Sequence, residues 1–267
     1  MSNLIGDEYL VKRIWADKLL RLMKHLISFL LCIFVLTSCN SDLSSEKVED
    51  IGLIGATIEI TQKPTDVKQS WMTINLFDKH GRSIRNDSIK IIVNGIETAL
   101  QHRQGLYYID ESRYYSENAP TNQIYNFEIK LSNGKKYFLG SINSLSEEKI
   151  ENIECAEQGD LNKNTVIKWK GLKNLNELTI YTSTLLKTPN TNDKNYSSKD
   201  VIVKQISSNG EYTMSKSEYF DPKWTVTGFE LKFATTRFGK MNPKLIDGSK
   251  ISISTSIEKN INLEKVQ

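Results

Sequence analysis

Histidine and cysteine are scarce, with three of each in 267 residues. Beyond residue 38 only His80 and His102 remain, in DKHGRS and ALQHRQG, without acidic or cysteine companions. That is too few ligands for a zinc site and too little for a catalytic triad. No G-x-S-x-G, P-loop or G-x-G-x-x-G occurs, so a hydrolase elbow and a nucleotide cradle are both missing. Nor is one sign of charge in excess: 35 basic residues face 32 acidic ones. Lys12, Arg13, Lys18, Arg21, Lys24, Asp7, Glu8 and Asp17 fall in residues 1–38, leaving 30 basic against 29 acidic. A chain so balanced carries no electrostatic footprint for nucleic acid. The apolar run Leu26–Leu36 holds eleven residues, too few to cross a bilayer, which takes about 20. After residue 39 no helical period lasts three turns.

What is present begins with that run. Eleven apolar residues suit the hydrophobic region of a secretory signal. Lys24 and His25 flank it on the basic side, and Thr37-Ser38 supply small residues before Cys39. This order resembles the lipobox of bacterial lipoproteins. The resemblance implies that the Cys39 sulfur receives a diacylglyceryl group and that cleavage makes Cys39 the N-terminus. Two or more acyl chains then hold the membrane firmly. Asp7, Glu8 and Asp17 fit a signal poorly, so translation is expected to start at Met23. Cys32 would leave with the signal and Cys39 would carry lipid. Cys155 then stands alone, on the same strand face as Ile153, and is expected to pack rather than react.

Asn40–Asp50 (NSDLSSEKVED) is polar and acidic and reads as a flexible tether. Acidic segments after the lipid cysteine resemble the export signals of surface lipoproteins in the Bacteroidota. From Leu53 onward the apolar period is two. Tyr125-x-Phe127-x-Ile129-x-Leu131, Phe229-x-Leu231-x-Phe233 and Ile251-x-Ile253 alternate with polar residues, as strands with one buried face do. Met72, Ile74 and Leu76 do the same in WMTINLF. Asn94-Gly95, Asn133-Gly134, Asn209-Gly210 and Asp247-Gly248 mark turns. The fold class is therefore all-β, with about seven strands over 53–142 and about seven more over 150–258. Two sandwiches are expected, at 51–142 and 150–260, joined by a linker at 143–149 (NSLSEEK). Tyr125 before Asn133-Gly134 resembles the tyrosine-corner position on strand F of immunoglobulin-like or fibronectin-III-like domains, and Trp169 resembles a core tryptophan.

Candidate sites are few. Asp160-x-Asn162-x-Asn164 opens like a calcium loop, yet Thr165 and Gly171 stand where glycine and glutamate are needed, so an ordinary loop is expected. The aromatic stretch GLYYIDESRYYSEN is the best functional hint. Alternation sends one tyrosine of each pair inward, leaving Tyr108, Tyr114 or Tyr115 to stack on a sugar or anchor a protein. Loop residues Phe238 and Met241 are candidates for a partner surface. Asp87-Ser88-Ile89 resembles the O-glycosylation signal of Bacteroidota envelope proteins, with Ser88 as acceptor. No cofactor and no metal is implied. The expectation is a non-catalytic, lipid-anchored outer-membrane module that binds a glycan or a protein partner. A periplasm-facing structural or inhibitory, immunity-type lipoprotein is the alternative, and a hydrolase comes third.

Overall fold

Alternating burial sets the strands. In β2 (Ser70–Phe77), Met72, Ile74 and Leu76 are buried while Trp71, Thr73 and Asn75 face outward. The computed structural model describes residues 41–104, 110–117, 123–186, 196–198, 201–220, 222 and 224–263. Cys39 and Tyr108 lie outside them, as does the start-site question at Met23.

Seven strands form the first half: β1 (Gly55–Gln62), β2, β3 (Lys90–Val93), β4 (Ile96–Gln104), β5 (Asp110–Glu117), β6 (Ile124–Lys130) and β7 (Lys136–Asn143). One sheet runs β1-β2-β5-β4 and the facing one β4-β3-β6-β7. β4 belongs to both. Its Ile96–Thr98 end pairs with β3, and Ala99–Gln104 pairs with β5. This is the strand order of an immunoglobulin-like sandwich. Asn94 and Gly95 both take positive φ, 48° and 85°, and close the β3–β4 hairpin as the Asn-Gly pair predicts. The first core lies between the sheets, with Ile58, Ile74 and Tyr114 from one meeting Ile91, Phe127 and Leu139 from the other.

Tyr125 is buried at the start of β6, but its hydroxyl meets Ser70 Oγ at 3.4 Å. A tyrosine corner reaches a backbone group a few residues upstream, and this bond does not. The side chain that reaches backbone is Tyr114, whose hydroxyl donates to the carbonyls of Ile89 (3.0 Å) and Asn86 (3.3 Å).

The second half contains β8 (Ile153–Glu154), β9 (Thr165–Trp169), β10 (Glu177–Leu186), β11 (Tyr196–Ser198), β12 (Ile202–Gln205), β13 (Gly210–Met214), a four-residue helix α1 (Lys216–Tyr219), β14 (Trp224–Phe238), β15 (Lys240–Met241) and β16 (Lys250–Asn262). The small sheet β13-β9-β8 covers β10-β14-β16. Trp169 fills the space between, edge-on to Phe233 at 5.8 Å. Asn209-Gly210 makes no hairpin: β12 pairs with β10, and β13 with β9. Glycine is needed there because a Cβ at position 210 would lie 2.5 Å from the Trp169 ring.

Besides β15, which pairs with β7 of the first half, two links join the halves. β16 pairs in parallel with β1 through Lys250–Ser254 and antiparallel with β14 through Ser252–Asn262. Its Ile251 and Ile253 enter the first core, Ile257 and Ile261 the second. The second link is the 143–149 segment. Gln62 exchanges two bonds with the Leu145 backbone at 2.8 and 3.1 Å. Buried Glu148 accepts from the Lys173 and Asn174 amides at 2.9 and 2.6 Å, and its own amide donates to Pro64 O.

The acidic segment is not a free tether. Ser41, Val48 and Ile51 are buried, and a 3₁₀ turn spans Asp42–Ser44. Asn86 Nδ2 holds the Leu43 and Glu46 carbonyls at 2.8 Å each. Val48 and Ser132 are joined through N–H to Oγ and N–H to carbonyl bonds of 3.0 Å. Composition suggested freedom because its few apolar residues are isolated in sequence, and the polar partners that fix it lie 37–84 residues away.

Candidate functional site: an aromatic row on a sheet face

Register assembles the site. Across β14-β16-β1-β2-β5, the outward residues Phe238, Ser252, Glu59, Thr73 and Tyr115 stand opposite one another in a row. The next row is Thr236, Ser254, Thr61 and Trp71. Phe238 is 74 % exposed and Trp71 45 %. Neighbouring strands lie about 4.8 Å apart, which puts Phe238 about 19 Å from Tyr115. Trp71 and Tyr115 are diagonal neighbours, about 7–8 Å apart, within reach of one another. The Arg113 guanidinium lies 5.9 Å from the Tyr115 ring centroid. The exposed rings of Phe238 and Trp71 and the half-buried ring of Tyr115 therefore flank a strip of short hydroxyl side chains and one carboxylate.

That geometry sorts the predicted residues. Tyr115 and Phe238 join the row. Tyr114 does not: only 2 % exposed, it faces Ile74 in the core, and burial pushes its hydroxyl well above the ordinary tyrosine range. Met241 packs against the first core, its sulfur beside Gly140, so it is not a free contact residue. Ser88 is exposed, its hydroxyl shared with Asn86 Oδ1 and Ser132 Oγ. Trp71 was missed, although WMTINLF carries the signal. If Met72, Ile74 and Leu76 point in, Trp71 points out.

Other places offer less chemistry. A cleft of about 740 Å³ lies over the small sheet, where Lys168 sits between Glu154 and Glu211 and pairs with Glu211 at 3.4 Å. Asp160 Oδ1 accepts the Asn162 amide at 2.9 Å and Oδ2 lies 3.6 Å from Lys163 Nζ, the arrangement of an ordinary turn. Half-buried Cys155 packs against the second core, where burial pushes its thiol up despite nearby Lys259. Among the described residues no three His, Cys, Asp or Glu gather as a metal site, and no helix is long and apolar enough to cross a membrane.

The fold and this face define an all-β sandwich protein with an exposed aromatic row. No family model matches the chain, and no curated protein matches it. Among solved structures it is similar to SGBP-B of the Bacteroides ovatus mixed-linkage glucan utilization locus, in complex with a mixed-linkage heptasaccharide. The identity is 14 % and the TM-score 0.23, over 84 % of this chain and 47 % of that one. It is also similar to the adhesin InvE of Yersinia pseudotuberculosis, at 9 % identity and a TM-score of 0.22, over 79 % and 59 %. The chain thus spans about half of the first and three-fifths of the second. Likenesses this distant assign no ligand.

Proposed function

We propose that this chain is a lipid-anchored, non-catalytic binding module of the bacterial cell envelope, built as two sandwiches in tandem and held to the outer membrane through Cys39. Its ligand is a glycan, taken on the outer face of β14-β16-β1-β2-β5. The observation that carries this reading is Trp71, a large ring left 45 % exposed, diagonal to Tyr115 and beside the hydroxyl side chains of Thr61 and Thr73. A pyranose presents an apolar C–H face and a rim of hydroxyls. Aromatic rings match the first, and Thr61, Thr73, Ser252 and Glu59 match the second. The ligand lies across the strands, since the rings are spread in that direction.

Screening the purified chain on a glycan array, followed by calorimetry on the best ligand, tests this. Trp71→Ala is expected to weaken binding at least tenfold, about 1.4 kcal/mol, with Tm almost unchanged because the side chain faces water. No glycan bound by the wild type, or wild-type affinity retained in both Trp71→Ala and Tyr115→Ala, would remove the sheet face from consideration.

A further inference from the structure

Ser41 is buried, donates from Oγ to Asp78 Oδ2 at 2.7 Å and from its amide to Ser83 O at 3.0 Å. Asp78 in turn accepts the amides of His80 (2.8 Å) and Arg82 (2.9 Å) and the Arg82 Nε (2.9 Å). Arg82 Nη2 reaches on to Asp42 at 3.1 Å. The segment behind Ser41 stays docked through Val48 and Ile51 into the first core. Cys39 precedes Ser41 by two residues, and two residues of fully extended chain span at most about 7 Å. An acyl chain on Cys39 therefore has almost no slack between the bilayer and the folded body.

We infer that the docked segment holds residues 41–263 in one fixed orientation on a lipid surface, with the Ser41–Asp78 end against the headgroups and the second core outermost. This rests on the lipid anchorage proposed for Cys39. The end in question is polar and of mixed charge, as a zwitterionic headgroup layer is: Leu53 is 46 % exposed there, and Lys79 and His80 are exposed around the same 370 Å³ hollow that Ser41, Asp78, Asp42 and Glu46 line. Strand direction fixes the rest. β2 ends at Phe77 beside Asp78, and Trp71 stands seven residues back, about 23 Å up the strand. β16 starts at Lys250, opposite Thr57 near the same end, and carries the chain through twelve further residues, about 40 Å, into the second core. The aromatic row thus sits at a set height and faces sideways along the bilayer.

The full chain, produced in bacteria that lipidate it, would be purified and reconstituted into phosphatidylethanolamine and phosphatidylglycerol vesicles. A fluorophore is placed on Lys79→Cys or on Lys168→Cys, each in a Cys155→Ser background, and quenched by nitroxide-headgroup lipid. Quenching at position 79 at least threefold above that at 168 is expected. A twenty-residue Gly-Ser insert between Asn40 and Ser41 should abolish the difference while leaving Tm unchanged. Equal quenching without the insert overturns the fixed orientation while anchorage stands. A difference that survives the insert shows that surface attraction, not the docked segment, orients the body, and overturns it too. Mass spectrometry finding no lipid on Cys39 removes the anchorage itself, and the inference with it.

Discussion

Asp78 is buried and accepts four hydrogen bonds, from the Ser41 hydroxyl, the His80 and Arg82 amides and the Arg82 Nε. Burial raises its pKa, but the Ser41 hydroxyl, the two amides and the Arg82 guanidinium outweigh that and hold it at about 2, against an ordinary 3.8. A depressed carboxylate stabilises the fold fully above its unfolded pKa, and that contribution fades as pH falls from about 3.8 through 2. Asp78→Asn should therefore lower stability at pH 7 by about 1–3 kcal/mol and speed amide exchange over residues 41–48. The gap from wild type in urea midpoint should narrow on going from pH 4 to pH 2. Thr235 and Thr255 behave in the opposite way. They face each other across β14 and β16, both buried, and neither hydroxyl has a hydrogen-bond partner. Valine has the same shape without the desolvated oxygen, so Thr235→Val and Thr255→Val should each raise Tm, by up to about 1 kcal/mol of stability. Calorimetry on the single and double variants decides it. At this scale the sequence revealed only what local phase controls. WMTINLF contains the outward direction of Trp71, whereas Tyr114-Tyr115 states that one ring points inward without saying which. The partners of Ser41 and Asn86 come from distant turns that no local pattern encodes.

Elements were easier to read where a turn is local and harder where the chain changes sheets. Asn94-Gly95 closes a hairpin because both residues accept positive φ. Asn209-Gly210 has the same composition, but Trp169 claims the space beside Gly210 and the chain crosses over instead. Gly239 marks another crossing. It stands between β14 and β15, where the chain leaves the partner of β16 and pairs with β7, and a Cβ there would lie 2.3 Å from Ser141 O. Backbone cannot yield as a flexible side chain does. Gly239→Val should cost about 1–3 kcal/mol and displace Phe238, so thermal melts and glycan affinity should fall together.

In the whole molecule, the reading of an all-β chain with about seven strands before residue 143 matches the observed β1–β7. The sharing of one strand by two cores could not be seen, because Ile251-x-Ile253 and Ile257 look like one ordinary amphipathic strand. With β16 common to both and Glu148 bonded to both sides, residues 41–263 should unfold in a single calorimetric transition. Two separated peaks would show that the cores melt independently. The strand's parity carries one more consequence. Ile251, Ile253, Ile257 and Ile261 are all odd-numbered, so both cores lie on the same face of a single ribbon. Adding or deleting one residue near Thr255 would leave each half of the strand locally intact, yet would turn one set of isoleucines to water. Across related chains, the stretch between Ile253 and Ile257 should therefore change length in twos or not at all.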